Sequence, residues 1–123
     1  MTKFVHADVY DNGLSFVAAN AERCVVVSND PAAYADVATG ELAAVSLTSG
    51  DFTLANGDVS GRKITMAAKT TTVATEGDPT HLVWVDDTNS KLLYKTEEST
   101  TQTIFVGNDL NIPALKLELN QPA

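Results

Sequence analysis

Soft and basic side chains are scarce in this 123-residue sequence: one cysteine, two histidines, and eight basic residues against sixteen acidic ones. A lone Cys24 permits no intramolecular disulfide, so the fold stands without a covalent staple. Its setting, Cys24-Val25-Val26-Val27, reads as buried strand rather than reactive thiol. The basic residues Lys3, Arg23, Arg62, Lys63, Lys69, Lys91, Lys95 and Lys116 are scattered, and the formal charge is −8. Nucleic-acid binding needs clustered cations that displace counterions, so that class is set aside. No apolar run approaches the length of a membrane span, and no signal peptide opens the chain. The sequence therefore reads as made and folded in a cytoplasm, with no membrane partner.

Other absences exclude chemistry. His6, His81 and Cys24 lack the paired spacing of a zinc site. Cys24 with His81 is a conceivable nucleophile and base, but the valine run would desolvate a thiolate. There is no Gly-x-Ser-x-Gly elbow and no phosphate-cradling glycine loop. Aromatics make up only 7%, too few for the platforms of a typical sugar-cleaving cleft. Asp87, Asn89 and Glu98 match positions one, three and twelve of a calcium loop, yet Leu92, Leu93 and Tyr94 fill its middle as strand. A looser calcium site from Asp86, Asp87 and Asp109 is outweighed by the ordinary use of aspartate in turns. We expect no enzyme, no resident metal and no cofactor.

What the sequence does contain is alternation. Apolar residues reach 44%, enough for one real core. Leu115, Leu117 and Leu119 alternate with Lys116 and Glu118, the pattern of a half-buried strand. Similar runs mark strands over 23–28, 42–48, 51–54, 63–68, 71–74, 81–85, 91–96 and 102–106. Pairs such as Asn56-Gly57 and Gly107-Asn108 supply the tight reversals between them. Ile64, Met66 and Ala68 share one face, as do Leu82 and Trp84, and Ile104 and Val106. Leu110, Ile112 and Ala114 are out of phase with Leu115, so a bulge or kink falls at Pro113-Ala114.

Two helices precede this β text. Asp11-Asn12-Gly13 predicts a cap, followed by the stripe Leu14, Val17, Ala18 and Ala21. Asp30-Pro31 predicts a second, brief helix closed by Gly40. The expectation is a mainly β protein: an antiparallel β-sandwich or jelly-roll-like barrel with a short N-terminal helix. Residues 1–40 form an arm packed on the same domain, and 41–123 form its antiparallel β core. Phe4, Tyr10 and Tyr34 are the candidate partner-binding residues, although for any single one of them plain packing is the favoured reading. The stretches 70–72 and 99–101 read as exposed edges or loops.

Residues 1–9, Met-Thr-Lys-Phe-Val-His-Ala-Asp-Val, followed by Asp11-Asn12-Gly13-Leu14, resemble the opening of a group of small bacteriophage and prophage proteins. The resemblance continues through Asp51-Phe52-Thr53-Leu54, Asp58-Val59-Ser60-Gly61-Arg62-Lys63, Thr80-His81-Leu82-Val83, Lys91-Leu92-Leu93-Tyr94 and Asn111-Ile112-Pro113-Ala114. It implies a virion structural protein: a capsid decoration or cement protein, or a small head–tail or tail component. Its partner would be the major capsid protein or another virion protein, its place the virion, and its form a homo-oligomer. No catalytic residue is carried over. The contact arm would be residues 1–21, with strand edges near Thr71 or Gln102 available for pairing with a neighbour. A rival expectation is a receptor- or carbohydrate-binding module of a tail or head fibre, using a concavity around Asp86, Asp87, Asn108 and Asp109.

Overall fold

The computed structural model describes residues 4–97 and 102–122. Every pairing among its strands is antiparallel, and a helix leads the chain. The fold class is mainly β and sandwich-like, as the alternation predicts. Contacts gather into two compact units. One comprises Met1–Asn20, Thr48–Ala68 and Pro113–Ala123; the other comprises Ala21–Leu47 and Lys69–Ile112. This division does not fall at residue 40. The leading helix belongs to the first unit, while the next strand and helix belong to the second.

In the first unit, helix α1 (Ala7–Asn20) packs on a sheet of β3 (Phe52–Asn56), β4 (Arg62–Met66) and β9 (Leu115–Leu119), in the order β3-β4-β9. The helix begins four residues before the expected Asp11. His6 takes the capping role, its Nδ1 accepting the Asp8 amide at 3.0 Å. Asp11-Asn12-Gly13 consequently lies inside the helix, and Asn12 Nδ2 donates to the Asp8 carbonyl instead of capping. Tyr10 and Leu14, four residues apart, form the inward stripe and meet a sheet face carrying Ile64 and Met66, all buried. Ala68, expected on that face, is exposed beyond the end of β4. Arg62 joins helix to sheet, donating from Nε to Asp11 Oδ1 at 2.8 Å.

Sharp backbone positions set the β3–β4 reversal. Gly61 has φ +69°, and a Cβ there would stand 1.8 Å from the Leu119 carbonyl oxygen. Only glycine allows both the left-handed backbone and that approach of β9. A capping box between Thr48 and Asp51 closes the short 3-10 turn Ser49–Asp51 that leads into β3.

The second unit is built on a four-stranded sheet ordered β2-β1-β6-β7. Its strands are β1 (Arg23–Val27), β2 (Glu41–Ser46), β6 (His81–Asp86) and β7 (Lys91–Glu97). The central strands β1 and β6 pair Val25 with Val83 and Cys24 with Trp84. Both faces are covered, which is why the valine run is continuous rather than alternating. Val25, Val27, Val83 and Val85 form one cluster, closed by Val37 of helix α2 (Tyr34–Gly40). On the other face Trp84 stacks at a tilt on Tyr94, ring centroids 5.0 Å apart. A smaller ladder of β5 (Lys69–Thr72) and β8 (Asp109–Ile112) stands beside β2, with Thr71 Oγ1 donating to the Ala44 carbonyl at 2.8 Å.

Three local expectations are corrected. Helix α2 starts at Tyr34 with Ala33 at its cap position, because the Asp30 carboxylate pairs with Lys95 Nζ at 2.7 Å instead of capping. Residues 102–106 form no strand: Ile104 makes an isolated bridge with Gly77, and Val106 is exposed. The kink at Pro113 becomes a change of sheet, since β8 pairs with β5 and β9 with β4. The segment 99–101 and Glu98 lie outside the described residues.

Candidate functional site

The three candidate contact residues have different fates. Phe4 is open, at 73% exposure, with its ring edge-on to His6 at a centroid distance of 6.5 Å. Tyr10 is buried, and its hydroxyl donates to the Asn120 carbonyl at 3.2 Å. Helix α1 turns it inward beside Leu14, so its ring serves packing within the first unit rather than offering surface to a partner. Tyr34 is half-buried against the valine cluster and donates its hydroxyl to Asp87 Oδ1 at 2.7 Å.

Two exposed side chains on α1 are not among those candidates: Val9 at 64% and Phe16 at 49%. Seven residues apart, they fall on one side of the helix, about 100° from Tyr10. The signal was in the sequence. Taking the helix back to Ala7 puts Tyr10, Leu14 and Val17 in one phase and leaves Val9 and Phe16 as apolar residues in another.

The densest polar cluster lies in the second unit, around the β6–β7 reversal. Arg23 binds Asp87 through two parallel bonds, Nε to Oδ2 at 2.7 Å and Nη2 to Oδ1 at 3.1 Å, and reaches Glu41 Oε1 at 3.2 Å. Hydrogen bonding from Arg23, then from Tyr34, holds the Asp87 carboxyl below its usual range. Asp87 in turn raises the Arg23 guanidinium and the Tyr34 phenol. Asp86 is buried, and Asn89 donates to both its oxygens, at 3.2 and 2.8 Å, which lowers its pKa. Asp87 is thereby held ionised beside a charged Arg23 and a neutral Tyr34. A general acid or base wants the opposite, a pKa drawn toward neutrality. The arrangement clamps a turn.

The remaining candidates for chemistry are placed apart. Cys24 pairs with Trp84 and His81 with Val27, three registers away, or about 10 Å along the sheet. His81 Nδ1 meets Thr80 Oγ1 at 3.0 Å and its Nε2 lies 3.5 Å from Asp30. Asp109 opens β8, while Asp86 ends β6 and Asp87 begins the β6–β7 turn. Among the described residues, no group of three or more His, Cys, Asp or Glu side chains is disposed to hold a metal ion. Thr71 lies in β5, which pairs with β8 along one edge while the Thr71 hydroxyl donates to the Ala44 carbonyl; Gln102 is not in a strand.

A recess of about 300 Å³ opens in the second unit, walled by Val73, Ile104, Phe105, Asn108, Asp109 and Leu110, with Gln102 and Thr103 completing it. Its walls are pinned by backbone bonds. The Val73 amide donates to the Asn108 carbonyl, and the Gly107 amide donates to the Val73 carbonyl, both at 3.0 Å. Gly107, at φ +89°, makes the reversal that carries Phe105 and Asn108 to the recess. The recess thus gathers Asn108 and Asp109 from the expected concavity but neither Asp86 nor Asp87.

No family model, no curated protein and no solved structure matches this chain.

Proposed function

We propose that this protein is a bacteriophage virion structural protein, a decoration or cement component that seats on the head shell. The observation that carries the reading is the outward apolar side of α1, where Val9 and Phe16 stand exposed, with Phe4 open just ahead of the helix. Exposed apolar side chains grouped on one element suit a protein contact better than solvent. The acidic, neutral-polar remainder keeps the free chain dissolved. The sequence resemblance to phage and prophage proteins points the same way. Many copies on a symmetric shell would each bury a modest area, and avidity would come from the lattice and from homo-oligomer formation.

Co-sedimentation with undecorated heads of the phage that encodes the chain tests this. Wild type binds, with weak dependence on ionic strength because the contact is apolar. The double variant Val9→Asp with Phe16→Asp stays folded and leaves the heads bare. Equal sedimentation of the variant, or none by wild type at any salt, refutes the reading. A second reading, a receptor- or carbohydrate-binding module, draws support from the recess, whose wall includes a half-exposed aromatic ring beside an amide and a carboxylate.

A further inference from the structure

The recess in the second unit supports a specific ligand class, and the inference rests on the second reading above. Phe105 lines it and is 51% exposed, so part of its surface is available to a ligand. Asn108 and Asp109 contribute an amide and a carboxylate whose side chains make no intramolecular hydrogen bond among the described residues. Elsewhere in the second unit the aspartates are engaged: Asp30 by Lys95, Asp78 by Thr103, Asp86 by Asn89 and Asp87 by Arg23. Asp109, exposed and on the wall of the recess, makes no such bond among the described residues.

The walls are also fixed in advance. Val73 holds the 105–108 turn through both its amide and its carbonyl, and Ile104 exchanges two backbone bonds with Gly77, at 2.9 and 3.1 Å. A preformed recess spares a ligand the cost of ordering it. Its volume sits at the lower end of small-molecule sites, room for one ring-sized group.

We infer that this recess binds a single neutral pyranose unit of a saccharide, its C–H face on the Phe105 ring and its hydroxyls on Asn108 and Asp109. A flat apolar ring, an amide able to give and accept, and an accepting carboxylate are complementary to a polyhydroxylated ring with one apolar face. The carboxylate in the recess and the net charge of −8 disfavour phosphate or carboxylated sugars. Stacking on Phe105 sets orientation, and the two polar side chains select the hydroxyl pattern.

The test uses the full chain in the presence of EDTA, so that calcium is not recruited as a bridge. Saturation-transfer and amide-shift NMR are run with glucose, galactose, mannose and N-acetylglucosamine. One or more should bind at about 1 mM, the affinity expected of one small ring. The shifts should map to Val73, Phe105, Asn108 and Asp109. Phe105→Ala should weaken binding about tenfold or more, and Asp109→Asn should change which sugar is preferred. Circular dichroism checks that the variants keep their sheet; should Phe105→Ala not fold, Asn108→Ala takes its place with the same expected loss. Silence of every sugar up to about 20 mM, and of an immobilised oligosaccharide panel, overturns both this site and the carbohydrate reading. Binding that Phe105→Ala and Asn108→Ala leave intact overturns the recess alone, since sugar would then be held elsewhere.

Discussion

Replacing Asp87 tests the physical account of the second unit most directly. Its carboxylate accepts three bonds, two from Arg23 and one from Tyr34, and the Arg23 and Asp87 side chains are 29% and 31% exposed. An ion pair fully in water is worth about 0.2–1 kcal/mol, and a desolvated charged hydrogen bond about 1.5–3 kcal/mol. A bidentate pair one-third exposed falls between, so we expect a coupling of about 1 kcal/mol from the cycle of Arg23→Ala, Asp87→Ala and the double variant. The midpoint of thermal unfolding should fall by about 3–6 °C in Asp87→Ala.

The pH dependence carries a sign. The Asp87 pKa is lowered in the folded protein, chiefly by Arg23. Its contribution is complete above the unfolded carboxyl value of about 3.9, and is lost as pH falls through the lower folded value. The stability difference between wild type and Asp87→Asn should therefore be level above about pH 5 and shrink below about pH 4. Other carboxylates titrate in both proteins and cancel. Urea unfolding read by Trp84 fluorescence is the assay, because the sole tryptophan lies in β6 of the same unit. A coupling below about 0.3 kcal/mol, or a difference unchanged down to pH 2, would refute the clamp.

Two glycines should respond unequally to alanine. Gly61→Ala combines a left-handed backbone with a Cβ 1.8 Å from the Leu119 oxygen, and should cost about 3 kcal/mol or more by thermal unfolding. Gly107→Ala meets no atom within 4 Å and should cost only the backbone term, about 1–2 kcal/mol. Equal losses would show that the approach of β9 does not matter. Asp58, bonded by Lys116 and Lys63, is held down to about 2 and should titrate there by carbon NMR. Lys116→Met should move it back toward the ordinary carboxyl range; an unmoved midpoint would remove Lys116 as the principal cause.

Much of the fold was legible because its signals are local. Alternation in Leu115-Lys116-Leu117-Glu118-Leu119 and the unbroken Cys24-Val25-Val26-Val27 located β9 and β1, and their difference announced one strand with a wet face and one without. Where partners decide, local signals misled. Asp11-Asn12-Gly13 has capping chemistry, but the inward demand of Tyr10 for the β4 face extends the helix to Ala7. Ile104-Phe105-Val106 has strand propensity, yet without a neighbouring ladder only Ile104 pairs. Pro113 announced a break, but phase alone does not say that the halves on either side join different sheets. The candidate sites were less legible still, since a recess between a turn and a strand end brings Val73 to Asn108 across a separation that periodicity does not register.

The charged residues of this chain are conspicuous in its sequence, and for many of them the structure supplies a partner. Arg23 holds Asp87, Arg62 holds Asp11, Lys95 holds Asp30, and Lys63 with Lys116 holds Asp58. All of these except Lys63–Asp58, five residues apart, tie segments distant in sequence, so part of the acidic excess serves as clasps. Apolar side chains stand in water on α1, and an aromatic ring with polar neighbours lines the recess. Exposed apolar surface costs free energy in the isolated chain, and a preformed recess gains nothing while empty. Both make physical sense when something else covers them.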